Sequence, residues 1–163
     1  MIGTEIGSYR IVEPIGKGGM GRVFAGEHVL LGRRAAIKVL DRRFDEDETV
    51  KTRFYNEARA VAALRHPSIV EVYDFGHAPD GSAYLVMELL SGEPLGRRMK
   101  RGVMPIEHAL IFGRQVASAL AVAHQHGVVH RDLKPDNIFI ERDPETEIGE
   151  RAKVLDFGVA KQP

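Results

Sequence analysis

The sequence contains no cysteine and no run of about 18 apolar residues. The absence of cysteine excludes disulfides, thiolate metal sites and cysteine nucleophiles. Without a long apolar run we predict no transmembrane helix, and the first ten residues lack the apolar stretch of a signal peptide. We therefore expect a cytoplasmic protein with no membrane segment.

The chain also lacks any excess of charge of one sign. Lys plus Arg number 23 and Asp plus Glu number 23 in 163 residues, so the net charge is zero. A bulk electrostatic partner such as nucleic acid usually requires a basic surface. We therefore predict no nucleic-acid partner, and the length predicts one domain.

The first half of the chain has the pattern of an antiparallel sheet with one helix. Short β-rich runs alternate with turns, and one segment carries Phe54, Ala58, Val61 and Leu64 at helical spacing. Pro67 should stop this helix. We predict strands at 9–14, 23–28, 34–40, 70–75 and 83–89, and a helix at 49–65.

The second half of the chain reads as mainly helical. A linker at 91–94 precedes one long amphipathic helix at 106–126, which Gly127 should end. Short strands are predicted at 128–140 and 153–155, with an extended polar loop at 141–152. The fold class predicted from this order is α+β.

A glycine-rich turn follows the first predicted strand. It consists of Gly16, Lys17, Gly18, Gly19, Met20 and Gly21, with Val23 two residues later. The same letters could form a dinucleotide-binding turn or a flexible hairpin, but a dinucleotide-binding turn should open a helix. Here a strand follows, which favours a hairpin lid over phosphates.

Lys38 stands inside an apolar strand, and Glu57 lies on the next predicted helix. A lysine buried in this way needs an anionic partner. Glu57 could fix Lys38 so that its ammonium meets phosphate oxygens. Alternatively, Lys38 points to solvent from an edge strand and Glu57 is an ordinary exposed helix residue.

Two further motifs decide between these alternatives. Residues 130–137 read His-Arg-Asp-Leu-Lys-Pro-Asp-Asn, and residues 156–158 read Asp-Phe-Gly after a short apolar strand. Together with the glycine-rich turn and Lys38, they resemble the motifs of the protein kinase family, in that family's order. The resemblance covers about residues 9–161.

The resemblance implies a protein-kinase-like fold, with an antiparallel β-sheet N-lobe that carries one helix, a hinge and an incomplete, mainly helical C-lobe. It places the kinase domain at 9–163, with the N-lobe at 9–87, the hinge at 88–93 and part of the C-lobe at 94–163. It also implies a chain truncated after Asp-Phe-Gly, without the activation segment and the platform for a protein substrate.

The resemblance assigns catalytic roles as well. Asp132 would accept or orient the substrate hydroxyl proton, and Lys134 would reach the γ-phosphate, as in the serine/threonine subclass. Asn137 and Asp156 would bind Mg²⁺, and Glu57 would fix Lys38 so that its ammonium binds phosphate oxygens. The implied cofactors are ATP and Mg²⁺, and the implied partner is a protein with Ser or Thr.

An adenine pocket follows from the same resemblance. Its predicted residues are Ile15, Val23, Ala36, Met87, Glu88, Leu90 and Phe139, with Glu88 and Leu90 binding adenine through the hinge backbone. Val61, Val72, His130 and Phe157 match an apolar column in the family. Arg131 resembles that of kinases switched by phosphorylation, and the phrase at 127–137 resembles bacterial kinases of the eukaryotic type.

Two functions from different classes therefore stand. The first is a serine/threonine protein kinase, which transfers the ATP γ-phosphoryl group to a protein hydroxyl. The second is a catalytically inactive nucleotide-binding or interaction module. The other histidines are too scattered to form a metal site, since His124 and His126 point to different faces of a helix.

Overall fold

The computed structural model describes residues 1–18, 21–41 and 47–157. The chain divides into two compact units. The first comprises Met1–Ala62 and Glu71–Leu89, and the second comprises Ala63–Val70 and Leu90–Pro163. Within the described residues, no helix combines the length and the apolar character needed to cross a membrane.

The first unit is built on a six-stranded antiparallel sheet, which confirms the predicted antiparallel meander. The first hairpin adds a short strand that the sequence pattern did not predict. The strands are β1 (Glu5–Ile6), β2 (Tyr9–Gly18), β3 (Gly21–His28), β4 (Arg34–Leu40), β5 (Val72–His77) and β6 (Ala83–Glu88), in the spatial order β1-β2-β3-β4-β6-β5.

Both faces of β4 are covered, because every residue from Ala35 to Leu40 is buried. Successive side chains of a strand point to opposite faces. One face supplies Ala35, Ile37 and Val39 to an apolar core that also contains Phe24 and Val86. The other face therefore carries Lys38, together with its neighbours at i±2.

Helix α1 (Glu48–Ala62) buries Phe54, Ala58 and Val61, as the spacing predicted. The Asp47 carboxylate caps its start by accepting hydrogen bonds from the N–H groups of Thr49 and Val50, at 3.0 and 3.1 Å. The helix ends at Ala62, three residues before the predicted end. Residues 63–70 leave the helix because they pack with the second unit.

The second unit combines two helices with a small antiparallel sheet. Its elements are β7 (Gly92–Pro94), α2 (Leu95–Lys100), α3 (Ile106–Gln125), a 3₁₀ turn (Pro135–Asn137), β8 (Ile138–Arg142) and β9 (Glu150–Val154), with the sheet order β7-β8-β9. Helix α3 lies against β9, where the Gln115 side chain accepts a hydrogen bond from the N–H of Ala152 at 2.8 Å.

Helix α3 confirms the predicted long helix to within one residue. Its buried stripe is Phe112, Val116, Ala119 and Ala123, whereas Leu110 is exposed. Gly127 has φ = 74°, and the N–H of Val128 donates to Ala123 while that of Gly127 donates to His124. This is a Schellman end, which requires a left-handed residue after the helix.

Three predictions for the second unit were wrong in detail. The predicted linker contains β7, and it is followed by α2. The predicted strand at 128–140 begins only at Ile138, since turns and the 3₁₀ helix precede it. The predicted polar loop shrinks to residues 143–149, because β8 and β9 pair from Arg142↔Glu150 onward. The remaining turn is closed by Arg151, whose Nε donates to Asp143 at 2.5 Å.

Candidate active site

The glycine-rich segment joins two paired strands, so it is a hairpin and does not open a helix. Gly16 pairs with Val23, Lys17 with Arg22 and Gly18 with Gly21. A Cβ atom at Gly21 would clash with the Val39 carbonyl oxygen, so only glycine fits. Gly19 and Met20 lie outside the described residues. Ile15 stands at a register shift in β2 and is half exposed.

Four predicted nucleotide-binding residues share one face of the sheet in the first unit. Val23 pairs with Lys38, which pairs with Leu85 on the other side, and Ala36 pairs with Met87. Residues directly opposite in a sheet point to the same face, as do i and i+2. Val23, Ala36, Lys38 and Met87 therefore lie together on the face opposite the apolar core.

Lys38 is buried, with a relative exposure of 9%. This excludes the alternative of an edge-strand lysine in solvent, since β4 lies between β3 and β6. The side chain of Glu57 lies outside the part of the chain that the structure describes, so its pairing with Lys38 stays a prediction. At the end of β6, the N–H of Glu88 donates to the Glu71 carbonyl at 2.9 Å and is not available to adenine.

His130 organises the loop that resembles the kinase catalytic loop. It is 3% exposed, and its Nε2 lies 2.7 Å from the Leu155 carbonyl oxygen. The N–H of Asp132 donates to His130 Nδ1 at 3.2 Å. Since Nδ1 accepts, the ring carries its proton on Nε2 and donates it to Leu155. The imidazole thus joins the loop to the segment that leads to Asp156.

Asn137 holds Asp132 in place. Its Nδ2 donates to the backbone oxygen of Asp132 at 2.8 Å and lies 3.3 Å from Asp132 Oδ2. Asn137 is only 9% exposed, whereas the Asp132 side chain is partly exposed. Lys134 Nζ lies 3.4 Å from Asp132 Oδ2, so the two charged groups predicted to act on the substrate are adjacent.

Asp156 follows a backbone segment held on both sides. The N–H of Leu155 donates to the Asn137 carbonyl at 2.9 Å, and the Leu155 carbonyl meets His130. Asp156 has φ = 48° and Arg131 has φ = 61°. A left-handed backbone costs a non-glycine residue roughly 1–2 kcal/mol. Such strain persists where the surroundings fix the chain, and it clusters at functional sites.

Phe157 packs against His130, with ring centroids 4.9 Å apart, and is buried. This contact joins two members of the predicted apolar column within the second unit. Val61 and Val72 belong to the first unit, and Gly158 lies outside the described residues. Phe139 is half-buried on β8 beside Pro94, and Leu90 is half-buried at the start of this unit.

The donor set of the second unit fits a hard cation. Because Asn137 commits its Nδ2 to Asp132, its Oδ1 is the atom that could bind a metal, and the Asp156 carboxylate is exposed. No group of three or more His, Cys, Asp or Glu among residues 1–18, 21–41 and 47–157 could hold a metal. Two oxygen ligands suit Mg²⁺, which keeps waters and binds substrate phosphates.

Sequence reasoning missed the hydrogen bonds that His130 and Leu155 contribute. His130 was predicted as part of the loop motif and of an apolar column, yet its ring also fixes the backbone before Asp156. The available signal was weak, because the partner is a main-chain carbonyl 25 residues away. A polar ring at a buried position would have been the only hint.

Comparisons with known proteins agree with this geometry. The family model described as "Protein kinase domain" matches residues 9–163. The chain is 46% identical over 163 residues to the serine/threonine-protein kinase PknA of Mycobacterium tuberculosis, covering 97% of this chain and 36% of that protein. It is 44% identical to the serine/threonine-protein kinase pkn2 of Myxococcus xanthus, covering 95% and 18%.

A solved structure shows the same fold. The chain matches the kinase domain of Mycobacterium tuberculosis PknI with a TM-score of 0.84 and 32% identity, covering 100% of this chain and 64% of that one. The chain thus spans about a third or less of the two curated relatives. The match of the kinase model to nearly the whole sequence shows that this chain belongs to the protein kinase family.

Proposed function

We propose that this chain carries the ATP-binding and phosphoryl-transfer residues of a serine/threonine protein kinase that acts in the cytoplasm. The reaction would move the γ-phosphoryl group of ATP to a Ser or Thr hydroxyl of a protein. The observation that carries the proposal is the pair Asn137–Asp132. A buried amide holds a partly exposed carboxylate, 3.3 Å away, in a loop with the kinase motif.

The first unit would hold the nucleotide. Val23, Ala36 and Met87 offer an apolar sheet face to adenine, with Ile15 nearby on β2. Lys38 places a buried ammonium on the same face, and a lysine there can bind phosphate oxygens. The glycine-rich hairpin keeps side chains away, so its N–H groups can approach phosphates. The proposed hinge is 88–93, with Leu90 as a backbone donor to adenine.

The second unit would perform the transfer. Asp132 would orient the substrate hydroxyl and take its proton, as a carboxylate does in general base catalysis. Lys134, 3.4 Å from that carboxylate, would neutralise charge that develops on the transferred phosphoryl group. Asn137 and Asp156 would hold Mg²⁺, which neutralises charge on the phosphates when bound.

The similarity to bacterial serine/threonine kinases and Lys134 support a Ser or Thr acceptor. The test is transfer of labelled phosphate from ATP to a generic protein substrate by the chain and its Asp132→Asn variant. We expect the variant to lose at least about a hundredfold in rate while it still binds Mg-ATP. Asp80→Asn makes the same change in a turn of the first unit and should leave the rate unaltered.

A second candidate function is a nucleotide-binding module without turnover, in which the sheet face that carries the buried Lys38 binds Mg-ATP but no phosphoryl group is transferred. In that case the chain and Asp132→Asn both bind Mg-ATP, and neither transfers labelled phosphate to the protein substrate. Equal, non-zero transfer by the chain and by Asp132→Asn would refute the role of Asp132.

A further inference from the structure

Residues 63–70 form hydrogen bonds with the segment before Asp156. These residues lie outside the kinase motifs. The Ser68 carbonyl accepts a hydrogen bond from the N–H of Val154 at 2.8 Å, and the N–H of Val70 donates to the Val154 carbonyl at 3.1 Å. Ile69 forms a parallel bridge with Val154. Both backbone groups of Val154 are therefore occupied by this segment, two residues before Asp156.

The next residue, Leu155, also forms hydrogen bonds through both of its backbone groups. Leu155 donates its N–H to the Asn137 carbonyl, and its own carbonyl faces His130. The backbone groups of residues 154 and 155 thus take part in four hydrogen bonds, three with backbone partners and one with the His130 ring. Asp156 follows directly, with φ = 48°. A change in the position of segment 63–70 would be transmitted through Val154 to the Asp156 carboxylate.

One histidine fastens segment 63–70 to helix α3. His66 Nδ1 accepts a hydrogen bond from the N–H of Ser68 at 3.0 Å, and His66 Nε2 lies 2.9 Å from Ser118 Oγ. Because Nδ1 is an acceptor, Nε2 carries the proton and donates to Ser118. The ring therefore links the turn that presents the Ser68 carbonyl to a side chain of α3.

This arrangement requires the neutral imidazole. A proton on Nδ1 would face the N–H of Ser68 and remove that hydrogen bond. Burial, and then the charge of Arg151, hold the pKa of His66 below its ordinary value, which favours the neutral form. Arg151, the residue of β9 whose charge acts on His66, donates a hydrogen bond to Asp143.

We propose that His66 and Ser118 are positioning residues for Asp156, acting through Ser68 and Val154 rather than by contact with a ligand. The inference rests on the proposed function, in which Asp156 holds Mg²⁺. A net hydrogen bond is worth a factor of about five in an equilibrium constant. Loss of the Ser118 hydroxyl should therefore raise the Mg²⁺ concentration needed for ATP binding by about fivefold.

The experiment compares the chain with Ser118→Ala, Ser118→Thr and His66→Phe. Two quantities are measured: amide hydrogen exchange of the peptide that contains residues 150–157, and the Mg²⁺ concentration at half-maximal ATP binding. We expect Ser118→Ala and His66→Phe to speed exchange at Val154 and Leu155 and to raise the Mg²⁺ requirement, with the affinity for metal-free ADP unchanged. Ser118→Thr keeps a hydroxyl and should behave as the parent chain.

Unchanged exchange at Val154 and Leu155 in both Ser118→Ala and His66→Phe would overturn the inference. So would faster exchange throughout the second unit with a parallel fall in ADP affinity, since that result means general destabilisation. If the parent chain binds no nucleotide, the proposed function fails. Local exchange at Val154 and Leu155 then decides the positioning role by itself.

Discussion

Replacement of Asn137 by aspartate should destabilise the second unit strongly at neutral pH. The substitution keeps the shape of the side chain but removes both Nδ2 protons. The Asn137 Nδ2 group donates to the Asp132 carbonyl oxygen at 2.8 Å and to Asp132 Oδ2 at 3.3 Å. Asn137 is only 9% exposed. Leaving a buried polar group without its hydrogen bond costs about 1–3 kcal/mol.

Electrostatic repulsion adds to this loss. Two unit charges 3.3 Å apart interact by about 5 kcal/mol at an effective dielectric constant of 20. The Asp132 side chain is 26% exposed, so solvent reduces this figure, and about half is a reasonable value. The free energy of unfolding should fall by about 3.5–5.5 kcal/mol in total.

The assay is urea unfolding followed by far-ultraviolet circular dichroism, because the chain has no tryptophan. At about pH 4 a proton on one of the two carboxylates replaces the lost donor, so we expect the difference from the parent chain to shrink by more than half. Asn56→Asp makes the same change at an exposed site of α1 and should alter stability by no more than about 0.5 kcal/mol. Equal stability of Asn137→Asp and the parent chain at neutral pH would refute the reasoning.

Three further predictions concern the second unit. Gly127→Ala should lower the free energy of unfolding by about 1–2 kcal/mol, because the φ angle of Gly127 is 74°. Gly113→Ala, at a site of helix α3 with open space around it, should raise the free energy of unfolding by about 0.5–1 kcal/mol. Equal effects of the two substitutions in urea unfolding would contradict the Schellman end. Ser68→Ala should raise the melting temperature, since Ser68 Oγ is buried with no hydrogen-bond partner among the described residues; a drop would mean that the hydroxyl has a partner. Glu150 receives two hydrogen bonds from Arg98, at 2.6 and 2.8 Å, which hold its pKa below the ordinary value. The stability from this pair is therefore present at neutral pH and lost as the pH falls through the lowered pKa, so Glu150→Gln should be less stable than the parent chain at pH 7 by about 1–2 kcal/mol and similar to it in strong acid. A pH-independent difference would argue against the ion pair.

The elements that the sequence predicted well are those with a clear period or a local signal. Helix α3 has an apolar stripe over about three turns and a glycine directly after its end, and each feature acts within a few residues. The strands of the first unit alternate between a core face and a second face. The loop at 130–137 was identified by its motif, and the structure places the Asn137 amide 3.3 Å from the Asp132 carboxylate.

The elements that were missed are short or charged. β1, β7 and α2 have two, three and six residues, too few to show a period. The sequence of β9 is mostly polar, because it contains Glu150, Arg151 and Lys153. Ion pairs to Arg98, Asp143 and Glu141 make these charges compatible with a strand. Such partners lie elsewhere in the chain and leave no local mark.

The end of α1 illustrates the same limit at the candidate site. The apolar spacing continues to Leu64, which is buried as predicted. The helix nevertheless stops at Ala62, because the following residues bind β9 and α3 through Ser68 and His66. No local rule shows that the residues directly after Pro67 hydrogen-bond to Val154, two residues before Asp156.

The most direct test of the account is calorimetric titration of the purified chain with Mg-ATP, beside Lys38→Met and Lys100→Met. Lys38 is buried on the predicted nucleotide face, and Lys100 is exposed at the end of α2. We predict saturable binding by the chain and by Lys100→Met, and at least about tenfold weaker binding by Lys38→Met, the loss expected when a charged hydrogen bond to phosphate is removed. Absence of binding by the folded chain, or equal binding by Lys38→Met, would contradict the assignment of this chain as a nucleotide-binding kinase unit.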